Sequence, residues 1–328
     1  MIVDIHAHFV PRGYLDAIES EGGRHGATLR AEAGGEVTIV VGGRPFGPIT
    51  RHYWDTEARL ADMDAAGVDM QVVSLNPPMV TWAPPEAGAR LARLVNDEMA
   101  KAVRGSKGRL HGLATLPMQD VPAAVAEAER AVKELGLKGV YIGTHVRGVD
   151  LDDARFDPFY AACQGLDVPV FLHPIDVLGG TRVAGYHLHN LIGNPTDTAV
   201  AAERLIFGGV FARFPGLKVV LPHGCGTFPY LLGRMMRGYA VRADARTRIG
   251  RPPVDFLGNL YYDTITHDQH TLAFLVNLMG PQKVLLGSDY RFDMGDPDPV
   301  RAVRGLKDVG RKGRDRILGG NAARLLKL

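Results

Sequence analysis

The sequence predicts an α/β protein folded as a (β/α)₈ TIM barrel, one domain over residues 1–328 with a small hairpin inserted at about residues 11–50. Three observations carry this. Eight short apolar runs recur along the chain, each followed by sequence of helical character, the alternation of a parallel sheet with crossover helices. The runs are nearly continuously apolar rather than alternating, as strands buried on both faces are. The length suits eight such units closing on themselves.

The first run, residues 2–8, contains Ile2, Val3 and Ile5 and ends in Asp4-Ile5-His6-Ala7-His8. Two histidines at i and i+2 leave a strand on one face, here at its carboxyl end. Residues 11–50 are glycine-rich and hold the stretch Val37-Thr38-Ile39-Val40-Val41 between glycine pairs, which reads as a hairpin packed on the main body. Asp55 suits the N-cap of a helix that carries Ala58, Leu60, Ala61, Met63 and Ala65 and stops at Gly67. Strands are then expected at 68–75, 110–118, 140–144, 168–173, 218–221, 260–264 and 284–288. Helices are expected at 86–103, 121–135, 157–165, 195–211, 230–238 and 269–279, with a closing helical region from Pro299. In helix 86–103, Leu91, Leu94, Val95 and Met99 share one face.

Composition narrows the function class. With 46% hydrophobic and 23% charged residues, the chain can bury a large core and reads as a soluble globular protein. The 38 basic residues nearly balance 36 acidic ones. The densest basic run (Arg234, Arg237, Arg242, Arg246, Arg248, Arg251) is interleaved with Asp244 rather than with aromatics, so it reads as a solvated helix and loop and no nucleic-acid partner is expected. Cys163 and Cys225 lie far apart and suggest no disulfide framework, which fits a reducing cytoplasm. No basic segment followed by an apolar stretch opens the chain and no apolar run reaches the length of a membrane span, so neither export nor a membrane partner is expected.

In a barrel of this kind the reactive groups sit at the carboxyl ends of the strands. Polar residues fall there repeatedly: His6 and His8 after the first strand, His145 after the fourth, His173 after the fifth, His223 after the sixth and Asp289 after the eighth. One histidine after a strand is ordinarily a loop residue. Several converging on one mouth, with a carboxylate, suit a borderline divalent ion: zinc first, manganese or iron as alternatives.

His6-Ala7-His8, His173, His223 followed by Gly224-Cys225-Gly226, and Gly287-Ser288-Asp289 resemble the metal-dependent amidohydrolase superfamily, in the branch typified by aminocarboxymuconate semialdehyde decarboxylase. Further similarity lies in Thr115-Leu116-Pro117-Met118-Gln119, Ile142-Gly143-Thr144-His145-Val146, Gly208-Gly209-Val210-Phe211 and Phe228-Pro229-Tyr230 with Gly233-Arg234, so the resemblance spans nearly the whole chain. It implies that His6, His8, His173 and Asp289 hold one ion per chain. It also implies that His223 is the acid/base, taking a proton from the metal's water or passing one to a substrate carbon. The competing reading of His223 is a fifth ligand or a hydrogen-bond anchor for Asp289. A second ion is disfavoured, because the fourth strand ends in His145, which more readily orients a loop, and Lys138 lies at the wrong end of that strand.

The resemblance also implies a homodimer in which the helix after the sixth strand donates Arg234 to the partner's site. The chain departs from the branch in its pocket. The arginine that holds a substrate carboxylate falls at Gly47, with Arg51 or Arg44 the nearby substitutes; a pocket tryptophan is replaced by His187; and Arg291 stands where a proline is usual. Glycine cannot replace a guanidinium clamp, so the bound acid is expected to differ. The activity implied is cofactor-free decarboxylation of a small unsaturated or aromatic carboxylic acid, aminocarboxymuconate semialdehyde-like or hydroxybenzoate-like. Hydrolysis or hydration of a related ring or enol substrate is the alternative. A barrel that has lost catalysis and only binds is disfavoured by the full ligand set.

Overall fold

The computed structural model describes residues 1–328. Val3–Phe9 (β1) is buried at every position, as its apolar sequence requires of a strand covered on both faces. Seven further strands follow: Met70–Leu75 (β2), Leu110–Thr115 (β3), Gly139–Gly143 (β4), Val170–His173 (β5), Val219–Leu221 (β6), Leu260–Asp263 (β7) and Val284–Leu285 (β8). They pair in parallel, in sequence order, in one eight-stranded sheet. Backbone bonds from Ile5 N to Leu286 O at 2.9 Å and from Asp289 N to His6 O at 2.8 Å carry the end of the sheet back to β1. The barrel closes beside His6 and Asp289.

The helices cover the sheet as the apolar periodicity requires. Pro85–Gly105 buries Leu91, Val95 and Met99, and Leu94 is half-buried beside them. Asp55 caps Thr56–Ala65 by accepting from Ala58 N at 3.0 Å, and Asp268 caps Gln269–Met279 by accepting from Thr271 N at 2.8 Å. Inside the barrel, Ile5, Leu113, Tyr141, Phe171 and Val220 leave a space of only about 10 Å³ among them, so access is from the carboxyl-end mouth.

Two elements differ from the sequence reading. Within residues 11–50 the stretch Val37–Val41 is a strand, and it pairs with Arg44–Ile49 through a turn at Gly42 and Gly43, φ 55° and 80°. The pair is widened into a three-stranded antiparallel sheet by Ala27–Ala31, and a helix, Arg12–Glu21, precedes it. Pro45 and Pro48 disguise the outer strand, which tolerates them because it is an edge. The eighth strand is shorter than 284–288, because the chain turns at Asp289, whose φ is 59°.

Candidate metal centre

Alternation along β1 brings His6 and His8 to one face, and His173 and Asp289 approach from β5 and from the turn after β8. One potential ligand atom from each of the four lies within 4.8 Å of every other, and all four residues are buried. The hydrogen bonds decide which ring nitrogens are free. His6 Nδ1 lies 2.8 Å from Asp263 Oδ2 and His173 Nδ1 lies 2.9 Å from Pro174 O. Both partners can only accept, so both Nδ1 atoms donate, and in each neutral ring Nε2 is the lone pair left for an ion. The Nε2 atoms of His6 and His173 are buried without a hydrogen-bond partner. His8 Nε2 lies 2.9 Å from Asp289 Oδ1.

The electrostatics ask for a cation at the centre. Burial lowers the His6 imidazole, but the Asp289 and Asp263 carboxylates more than reverse this and push it up to about 9. Burial brings His8 down to about 4 and holds His173 well below the usual histidine range. Burial works to raise Asp289, yet the surrounding imidazoles, His6 foremost, keep it well below the usual carboxylate range. Without an ion, a proton on His6 supplies the missing charge. Two orphaned imidazole nitrogens and an ionised carboxylate at this spacing suit a divalent metal ion.

His223 stands outside the four. It lies two residues past β6, at φ 55°, with Nε2 3.6 Å from Asp289 Oδ2. It borders two cavities that meet at His223 and Asp289. One, of about 550 Å³, is also lined by Arg44, Phe46, His173, His187 and Phe292. The other, of about 710 Å³, is walled by Leu191, Ile265, Phe274, Leu275 and Met294.

The amidohydrolase family model matches residues 3–328. The chain belongs to the amidohydrolase family. Within it, this amidohydrolase is 36% identical over 328 residues to the 2-amino-3-carboxymuconate-6-semialdehyde decarboxylase of Dictyostelium discoideum, covering 99% of this chain and 91% of that one. It is 31% identical over 292 residues to a gamma-resorcylate decarboxylase of a Polaromonas species, covering 83% and 87%. Among solved structures it superposes with a TM-score of 0.80 and 26% identity on a dihydroxybenzoic acid decarboxylase from Polaromonas with bound manganese and the inhibitor 2-nitroresorcinol, over 100% of this chain and 97% of that one.

The expected substrate residues of this amidohydrolase divide. His187 borders the smaller cavity, from the exposed loop after β5. Arg51 does not: it is exposed and pairs with Asp55 at 3.3 Å. Arg44, on the outer strand of the inserted sheet, reaches the cavity instead, next to Phe46 and ion-paired with Asp176. Arg291 turns away and faces Asp62 at 3.6 Å, because the turn at Asp289 sends Phe292 rather than Arg291 into the mouth. Arg234 lies exposed on the helix Phe228–Val241, borders neither cavity and has no ion-pair partner in its own chain. His145 receives a bond from Gly148 N at 3.1 Å and meets Asp176 O at 3.0 Å, so it shapes a loop.

Sequence reasoning missed the supports beneath the ligands. Asp4 Oδ1 accepts from His6 N at 3.1 Å and Ser288 N at 3.0 Å, and its Oδ2 accepts from Ser288 Oγ at 2.5 Å and Gln71 Nε2 at 3.0 Å. Burial pushes the Asp4 carboxyl up to about 6 in spite of those bonds. The fully buried Arg59 continues the network, donating to Gln71 Oε1 at 3.0 Å and to the His8 carbonyl. Asp263 was legible by the rule that found Asp289, as a carboxylate ending an apolar strand. Burial works to raise it, but the His6 hydrogen bond and charge hold it below the usual carboxylate value.

Proposed function

We propose that this amidohydrolase decarboxylates an aromatic or unsaturated carboxylic acid, using one divalent ion and no organic cofactor. The observation that carries the reading is the buried His6, His8, His173 and Asp289 cluster with His223 beside it, opening on a cavity large enough for a single ring. Zinc is the first choice of ion for three imidazoles and one carboxylate, with manganese the alternative suggested by the Polaromonas structure and iron also compatible. A bound ion would supply Lewis acidity, anchoring the carboxylate and a neighbouring oxygen of the substrate.

The chain's own residues supply the rest. Protonated His223 donates its proton to the carbon that bears the carboxylate. The bond to the carboxylate then breaks, carbon dioxide leaves, and the electron pair stays on that carbon to restore the conjugated system. Water returns a proton to His223. Phe46 and Phe292 offer apolar edges to a ring, and Arg44 and His187 offer donors to a second anionic group or phenolate. Of the two arginines near Gly47, Arg44 rather than Arg51 takes the role of anion clamp, and Arg291, facing Asp62, takes no part in binding. Arg234, exposed and unpaired, is proposed to complete the site of a second copy in a homodimer. Two buried, unbridged cysteines accord with a reducing cytoplasm.

The test is carbon dioxide release across a panel of substituted benzoates and muconate semialdehydes. Release from at least one acid, abolished by chelation, is expected. Consumption of the panel without carbon dioxide would replace the reading with hydration or hydrolysis.

A further inference from the structure

Asp263 ends β7 with no exposed surface, and its only ion-pair partner is His6. Its two oxygens divide their work. Oδ2 accepts from His6 Nδ1 at 2.8 Å, while Oδ1 accepts from Gly224 N at 2.8 Å and Ile265 N at 3.1 Å. Gly224 directly follows His223. One buried side chain is therefore bonded both to a ligand ring and to the turn that carries the acid/base imidazole.

We propose that Asp263 is a positioning residue for the decarboxylation, orienting the His6 ring with its Nε2 toward the ion and holding the His223 turn in register with it. This rests on the roles of the ion and His223 proposed above. A carboxylate can only accept, so it selects the one His6 tautomer that can bind a metal through Nε2. His223 and Gly224 both hold left-handed backbone, at φ 55° and 59°, and the Gly224 N–H is the bond that ties this turn to β7. The packing leaves no slack: a Cβ on Gly287 would lie 3.0 Å from Asp263 Cβ and 3.2 Å from His6 Cβ.

Asp263→Asn keeps the volume and one oxygen for Gly224 but can present an N–H₂ to His6, favouring the wrong tautomer. With Mn²⁺ alone as the probe, followed by the electron paramagnetic resonance of the free ion, its Kd is expected to weaken about 10–100-fold. At saturating Mn²⁺, kcat is expected to fall while KM stays near its native value. In a His223→Ala background the same substitution should weaken Mn²⁺ binding by the same factor yet lower kcat no further. Native Mn²⁺ affinity in Asp263→Asn overturns the tautomer half of the proposal, and an additional fall of kcat in the His223→Ala background overturns the positioning half. Imidazole nitrogen resonances of the zinc-loaded native protein provide a check that needs no variant: His6 should carry its proton on Nδ1, and a proton on Nε2 overturns the assignment. The Mn²⁺ and resonance measurements require no turnover, so they separate failure of the Asp263 role from failure of the decarboxylase reading, which carbon dioxide release tests.

Discussion

Asp289 and His223 are both non-glycine residues with left-handed backbone, a conformation that costs roughly 1–3 kcal/mol each and persists where the surroundings over-determine it. Their replacements are expected to behave differently. Asp289→Asn removes the carboxylate from the ligand set and should lose bound metal, read by elemental analysis, together with activity. His223→Ala should keep the metal and lose about 10²–10⁴-fold in kcat; a metal-free His223→Ala would move this residue into the ligand set. Arg44→Ala should raise KM about tenfold, the low end for a charge-assisted bond at a partly exposed site, with Arg51→Ala and Arg291→Ala close to native. Proton linkage gives a further check. His6, raised from 6.5 to about 9 in the ion-free protein, contributes stability that is fully present below pH 6.5 and lost as pH rises through 9. Metal uptake must expel that proton. Calorimetry in buffers of different ionisation enthalpy should therefore show about one proton released per ion at about pH 7.5, fading above pH 9. No release at the lower pH would mean that His6 is already neutral.

Elements matter here chiefly through their ends. The strands supply a rigid frame, but His223 and Asp289 lie just past β6 and β8, in turns whose shape depends on close backbone approach. Gly226, at φ 54°, packs against the Pro195 carbonyl at the start of the helix Asn194–Phe207, and a Cβ there would overlap that oxygen. Gly226→Ala is expected to lower stability by about 1–3 kcal/mol and to reduce kcat with it, because the His223 turn must shift. Thermal unfolding and turnover on one preparation check this, and an unchanged kcat would show the turn to be tolerant. Caps and apolar faces were legible in sequence because they are local: Asp55 and the Leu91, Val95 and Met99 face needed only spacing. The strands Ala27–Ala31 and Arg44–Ile49 were not, because their pairing depends on a shared middle strand and because proline in a strand reads as a break unless the strand is known to be an edge.

Across the whole molecule, closure of the barrel at β1 and the segment after β8 makes the ion site and the fold one construction. Asp4 clamps Ser288 across that seam while Asp289 and His6 face the centre. Assembly is the open end of the same design. Arg234 and the 83% exposed Tyr230 project from the helix Phe228–Val241 with nothing of their own chain to bind Arg234. A homodimer in sedimentation at assay concentration is expected, and Arg234→Ala should raise KM without changing metal content. A fully active monomer would remove Arg234 from the site.

The sequence by itself determined the eight-fold alternation and the strand ends that carry His6, His8, His173, His223 and Asp289, because strand periodicity and residue chemistry are local and a closed barrel sends every strand end to one mouth; the division of the five into four ligands and an acid/base is what the family resemblance implies. Gly47, where the resemblance implies that a clamping arginine is missing, lines the smaller cavity. Only the tertiary structure decided which nearby cation reaches the cavity, Arg44 rather than Arg51 or Arg291, since loop direction depends on packing that no spacing records. The same holds for Asp263, Asp4 and Arg59: their work is to bond across strands distant in sequence, and a hydrogen bond between residues 6 and 263 exists only once the barrel has closed.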